Sequence, residues 1–320
     1  MIFKLNQNRV SRTYMGGSRI DKFTGEKFET KNNIPYPEDW LASVTTALNP
    51  DGAVEGLGTT QNNISIKDIV TDDVLPILVK LLDSDERLVV QVHPTVEYAK
   101  QNLNSNFGKT ECWYFIDCTD DACVYLGFKE GITKDKWRTA IEMQDTALIL
   151  SFLHKIPVKQ GDFVFVDGGV PHAIGGGCFM IELQEPSDLM VVAEKYTVSG
   201  RKITDFRIDM GLGMDKALDM YDYTGYSRDE ILQKYISHPN PLENAAVKIV
   251  DNTMTDKFTM HCLFQNTYIE TKRKYSVAVV TSGCGTICGH TAKAGDRFFI
   301  CEEPKIETTG NNSFKVILCE

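Results

Sequence analysis

The sequence predicts a mainly β protein: two β-domains of similar architecture, sandwich or barrel in kind, with a helical connection between them. Three observations carry this. Short apolar runs recur between Gly, Asp and Pro turn signals along much of the chain. One turn-and-strand phrase occurs twice, as GDFVFVDGGVPHAIGGG at 161–177 and GDRFFICEEPKIETTG at 295–310. Helical spacing is confined to a few stretches and is richest from about 205 to 245.

In chain order, VLPILVKLLDSD (74–85) is apolar on one face of a helix. LVVQVHP (88–94) reads as an apolar strand. Side chains alternate along a strand, so Gln91 and His93 share one face while Val90 and Val92 face the other way. ECWYFIDC (111–118), ACVYLGF (122–128), GDFVFVDGG (161–169) and CFMIELQ (178–184) follow as strands. TKDKWRTAIEMQ (133–144) and SRDEILQKYIS (227–237) are helices, each opened by an N-capping Thr or Ser. YSVAVVTSG (275–283), DRFFICEE (296–303) and SFKVILCE (313–320) close the chain as strands. The expected division is a metal-bearing β-domain over 1–205, a helical connection over 206–245 and a metal-free β-domain over 246–320. In the second copy of the repeated phrase, Lys305 falls close to where His172 falls in the first.

The bulk composition narrows the function. A chain of 320 residues is comfortable for two domains. With 42% apolar and 24% charged residues it is of the soluble globular class. The net charge is -10 and no basic cluster offsets it, which argues against nucleic acid as a partner. A local group of Lys or Arg would still suffice for a small phosphorylated ligand. The first twenty residues lack the apolar core of a signal peptide, and no apolar stretch is long enough to span a bilayer. Nine scattered cysteines without a CxxC suit reduced thiols in the cytoplasm.

Chemistry-bearing residues gather around the LVVQVHP run. Glu111 opens an apolar strand, where a lone carboxylate is costly unless paired or bound to a cation. His172 enters a β-context through the Pro171 bend. Two His and one Glu, with Gln91 as a further donor, are a sensible ligand set for Zn²⁺ or another first-row metal. His154, in FLHKIP, lacks such a context and reads as structural.

The phrases LPILVKLLDSDERLVVQVHPTVEYA (75–99), GKTECWYFID (108–117), GDFVFVDGGVPHAIGGG and IELQEPSDLMVV (181–192) together resemble the type I mannose-6-phosphate isomerases, most of all their short bacterial form. The resemblance runs from GGSRI and Trp40 to the final β-domain. It implies a cupin fold of two β-sandwich (jelly-roll) barrels with a helical insertion or connection, one Zn²⁺ per chain, and interconversion of mannose 6-phosphate and fructose 6-phosphate through an enediol. It implies His93, Glu111, His172 and Gln91 as metal ligands, Lys109 facing the sugar phosphate, and Glu182 beside the site. The expected partner is a small sugar phosphate, with the chain a monomer or weak homodimer. Glu182, Lys109 and a water on the metal all stand as candidates for the general base.

The sequence also departs from that family. Val192 stands where an arginine is usual, Val89 where a phosphate-linked serine is usual, and Met15 where a tryptophan is usual. Arg201 and Lys195 are the nearest cations that could replace the missing arginine, Arg201 first. A second expectation follows from Val192: a cupin that binds metal and a sugar or sugar phosphate without isomerase activity. A third, an iron-dependent oxygenase, is disfavoured by Gln91 and Lys109, because such sites need open positions for O₂.

Overall fold

The repeated phrase of the sequence folds into the same turn twice. Gly161 and Gly295 both adopt left-handed backbone, at φ 87° and φ 88°. The next residue closes each turn: Asp162 accepts from the Lys159 N–H and Asp296 from the Lys293 N–H, both at 3.0 Å. Strands Phe163–Val166 and Arg297–Cys301 then leave the two turns. The structure is a computed structural model and describes residues 1–30, 33–49, 54–71, 74–239 and 246–320.

The first β unit is a sandwich of two sheets. One has seven strands in the order Ile236–Ser237, Phe163–Val166, Glu111–Cys118, Cys178–Gln184, Leu78–Ser84, Glu38–Leu41 and Arg9–Val10. The other runs Val191–Val192, Gln91–Val92, His172–Ile174, Cys123–Lys129 and Gly225–Tyr226, with Leu153–Pro157 also on Cys123–Lys129. Phe115, Ile181 and Leu81 of the first sheet share one apolar core with Val124, Leu126 and Ile174 of the second.

The second β unit pairs a six-stranded sheet with a four-stranded one. Its six-stranded sheet is buried on both faces. Val277, Val279, Phe299 and Ile317 join the core of the first unit, whereas Ala278, Val280, Phe298 and Val316 pack in a core of their own with Ile287 and Ile306. Double burial explains why YSVAVV, RFFIC and KVILC are apolar without alternation. The N-terminal strand Ile2–Lys4, which the sequence groups with the first domain, pairs with Arg297–Cys301 and completes this sheet.

One expected element is of a different kind. The run at 74–85 is no helix: Leu78–Ser84 is a strand, buried throughout, between Cys178–Gln184 and Glu38–Leu41. A short apolar run buried on both faces has no period of 2 to reveal it, so helical spacing was as good a reading. The other helices lie where expected. Lys134–Met143 is capped by Thr133, and Arg228–Tyr235 starts in a capping box of Ser227 and Glu230. Within 206–245, Asp205–Asp209 and Met214–Asp219 are short helices, while the boundary at 240–245 lies outside the described residues. Among the described residues, no helix is long and apolar enough to cross a membrane.

A Cβ at Gly295 would lie 2.1 Å from the Phe23 carbonyl oxygen, in addition to the positive φ. Gly295→Ala is therefore expected to cost at least about 2 kcal/mol of stability. A urea unfolding midpoint indistinguishable from wild type would contradict this.

Candidate metal centre and its cavity

Both sheets of the first unit supply the cluster. Gln91 opens one short strand and His172 another, and the register sets these two residues directly opposite each other. His93 follows one residue after Gln91–Val92. Glu111 comes from the facing sheet, as the first residue of Glu111–Cys118. Val90 and Val92 point the other way, into a separate apolar cluster with Phe128, Trp137 and Val191. The alternation read from LVVQVHP therefore holds, although only Gln91–Val92 is paired as strand.

His93, Glu111 and His172 are buried, and each offers a donor atom within 4.8 Å of the others. His93 Nε2 lies 3.3 Å from Glu111 Oε2, and His172 Nε2 lies 3.4 Å from Glu111 Oε1. Gln91 Nε2 is 3.2 Å from His172 Nε2, and a half-turn of that amide puts its oxygen in the same place. The far ring nitrogens are occupied. His93 Nδ1 bonds the Leu189 carbonyl and His172 Nδ1 the Val170 carbonyl, both at 2.9 Å. A carbonyl can only accept, so Nδ1 carries the proton and each Nε2 presents its lone pair to the cluster.

Electrostatics favour the same states. Burial, reinforced by the Lys109 charge, pulls His93 down to about 3, so the ring is neutral. Burial likewise lowers His172. Burial alone would raise Glu111, but Lys109 and the two histidines hold it well below the usual carboxylate range. Two neutral imidazoles and an ionised carboxylate are the forms that bind a divalent cation. The Lys109 ammonium already rests against this centre, 2.7 Å from His93 Nε2 and 2.5 Å from Glu111 Oε2. The donor set therefore fits a metal ion. Its chemistry suits zinc, with nitrogen and oxygen ligands and buried backbone partners behind them.

Gln91 and Lys109 also line a cavity of about 250 Å³, with the cluster behind them. Glu182 lines it too, from the strand next to Glu111–Cys118. The sequence missed most of the remaining charges there: Lys80, Glu38, Arg12, Asp188 and Arg207. They form a row of alternating sign. Lys109 lies 3.8 Å from Glu182, Glu182 2.8 Å from Lys80, and Lys80 3.8 Å from Glu38. Arg12 then bridges Glu38 at 3.0 Å and Asp188 at 3.2 Å, and Arg207 meets Asp188 at 2.9 Å. Lys80 had a signal in the sequence, a lone cation inside the apolar run ILVKLL. Arg12 and Arg207 sit in polar segments and had none.

Arg201 is placed elsewhere. Its guanidinium donates to the Asn33 carbonyl at 3.1 Å, and it is not among the cavity-lining residues. Lys195 is exposed. Arg12 and Arg207 bring positive charge to the cavity instead. Val192 is the register partner of Gln91 and packs with Val89, Ile203 and Ile208 as an apolar wall. His154 bonds the Tyr226 carbonyl at 2.9 Å, away from the cluster. Lys305, unlike His172, is exposed and paired with Glu307.

The comparisons with known proteins lead to one group. No protein-family model matches the chain. The probable mannose-6-phosphate isomerase GmuF of Bacillus subtilis (strain 168) is 46% identical over 115 residues, 36% of this chain and 35% of that protein. Over that segment the chain is homologous to proteins named mannose-6-phosphate isomerase. The matched segment spans only about a third of the curated relative's length, whereas the likeness in fold extends along the whole chain. The crystal structure of the mannose 6-phosphate isomerase from Bacillus subtilis has a TM-score of 0.75 at 22% identity, covering 100% of this chain and 99% of that one. A mannose 6-phosphate isomerase bound with zinc and yttrium has a TM-score of 0.69 at 14% identity, covering 99% of this chain and 98% of that one.

Two tests address the charges of this cavity. Lys80→Met removes the main partner of buried Glu182 and is expected to cost roughly 3 kcal/mol of stability, read by urea unfolding. An unchanged midpoint would show that Glu182 does not depend on Lys80. The second concerns acid. Burial would raise Glu38, but Arg12 and Lys80 override it and bring it from 4.5 to about 2. Its ionised pairing stabilises the fold above the unfolded-state value. That share is lost as pH falls from about 4.5 towards 2. Arg12→Leu should move the loss to higher pH. Superimposable acid-unfolding curves would refute the role of Arg12.

Proposed function

We propose that the chain is a zinc-dependent aldose–ketose isomerase that interconverts mannose 6-phosphate and fructose 6-phosphate through an enediol. The observation that carries this reading is the convergence of Gln91, His93, Glu111 and His172 behind a cavity that also holds Lys109 and Glu182. The named relatives add weight to the substrate.

A Zn²⁺ held by His93, Glu111, His172 and Gln91 would supply the positive charge that orients the sugar oxygens and stabilises an enediolate. The chain's own residues do the rest. Lys109 donates hydrogen bonds toward the oxygen that gains charge as the proton leaves carbon. Burial raises Glu182 against the pull of Lys80, so this carboxyl can take up and return a proton at the cavity wall. We assign the proton shuttle between C1 and C2 to Glu182, with Lys80 holding it in place. Arg12 and Arg207, at the other end of the ion-pair row from Lys109, line the same cavity and would meet the phosphate. Arg201 has no part in this assignment.

The deciding experiment is a coupled assay of fructose 6-phosphate formation from mannose 6-phosphate, with and without a chelator. Turnover is expected, lost on chelation and restored by zinc. Glu182→Gln should lower kcat by about 10²–10⁴-fold. Arg201→Ala should leave kcat/KM unchanged, and a large drop would return Arg201 to the site.

A second reading rests on the apolar wall of Val89 and Val192 beside Gln91. A cavity with that wall would bind a sugar or sugar phosphate without isomerising it. Calorimetric binding of mannose 6-phosphate by a fully metallated sample that shows no turnover would favour this reading and sink the first.

A further inference from the structure

Two thiols face each other on the sheet that carries Glu111 and Glu182. Cys118 ends the strand Glu111–Cys118, Cys178 opens the strand Cys178–Gln184, and the register sets them directly opposite. Directly opposed residues of an antiparallel pair send their side chains to the same face. One residue further along, the Thr119 N–H donates to the Gly177 carbonyl at 2.9 Å. The ladder bond therefore belongs to the neighbouring pair, and Cys118 and Cys178 form a non-hydrogen-bonded pair. Such pairs have the closest backbones, about 4.5 Å between Cα atoms. A disulfide spans Cα separations of roughly 4.4–6.8 Å.

Access and burial differ between the two. Cys178 is buried and Cys118 is partly exposed. The contact with the Cys118 thiol, together with burial, pushes the Cys178 thiol well above its ordinary range. Cys178 Sγ also lies 3.9 Å from the Cys123 carbonyl oxygen, so a third cysteine borders the pair. Nothing in the isomerase chemistry uses these sulfurs, which sit at the far ends of both strands from Glu111 and Gln184.

We propose that Cys118 and Cys178 are an oxidisable dithiol, which a hydroperoxide converts into a cross-strand disulfide. The Cys118 thiolate attacks one peroxide oxygen, the O–O bond breaks, and the other oxygen leaves as water or alcohol after taking a proton. Cys118 is then a sulfenic acid. The Cys178 sulfur attacks it, the S–S bond forms, the S–O bond breaks, and the hydroxyl leaves as water with the Cys178 proton. Two thiols give up two electrons and two protons, and the peroxide takes them. The bond ties together the two central strands that carry Glu111 and Glu182. This proposal stands independently of the isomerase assignment.

The test uses the full chain in native buffer. It is treated with hydrogen peroxide, alkylated, and digested without reductant for mass spectrometry. The expected product is a peptide pair joining Cys118 to Cys178, lighter by two hydrogens and released by dithiothreitol. Cys178→Ser should halt the reaction at a Cys118 sulfenic acid that dimedone traps. Three results overturn the proposal: a link from Cys118 to Cys123, over-oxidised Cys118 with Cys178 still free to alkylate, or two unreacted thiols after exposed Cys284 has been consumed. The wild-type mapping decides the matter even if the variant does not fold.

Discussion

A row of buried charges organises the site, and much of the first β unit is arranged around it. From Glu111 through Lys109, Glu182, Lys80, Glu38, Arg12 and Asp188 to Arg207, each group is held by neighbours of opposite sign. A lone buried charge would be prohibitive, and a row of paired ones is tolerable only if geometry is kept. The strands supply that geometry. Glu182 and Lys80 are register partners, as are Trp40 and Lys80, and Glu38 accepts the Trp40 indole N–H at 2.6 Å. One misplaced strand would leave several charges without partners, so the row acts as a register lock as well as a cavity lining.

The metal centre uses the sandwich differently. Gln91 and His172 come from one sheet, His93 from the residue that follows its Gln91–Val92 strand, and Glu111 from the other sheet. The cluster can form only when the two sheets are packed at their working distance. The Leu189 and Val170 carbonyls fix the imidazole rings from behind, and the Trp113 indole donates to Glu111 Oε1 at 3.1 Å. These contacts prepare the donor atoms before any ligand arrives, which lowers the ordering cost of binding.

The C-terminal β unit supplies none of Gln91, His93, Glu111 and His172, yet it is not an appendage. Its six-stranded sheet shares a continuous core with the first unit and is closed by the N-terminal strand Ile2–Lys4. Residues 2–4 thus lie in one unit and residues 9–10 in the other, and the shared core couples their stabilities. This is why a turn glycine such as Gly295, remote from the cavity, bears on the fold that holds the site.

The sequence by itself determined the β class, the duplicated Gly-Asp turn, the capped helices at 133–144 and 227–237, and the shared face of Gln91 and His93. Those features are local: alternation, capping and turn chemistry act over a few residues and are written in them. Val192 and Val89 were legible only against the family resemblance, as valines where an arginine and a serine are usual. What only tertiary structure decided were properties of pairs distant in the chain. The run at 78–84 became a strand because neighbours bury both its faces, which removes the alternation that would have shown it. Arg12 and Arg207, not Arg201, reach the cavity because the partners that hold a guanidinium, Glu38 and Asp188, are assembled by strand order rather than by sequence distance. The opposition of Cys118 and Cys178 is likewise a matter of register, and register exists only once two strands have paired.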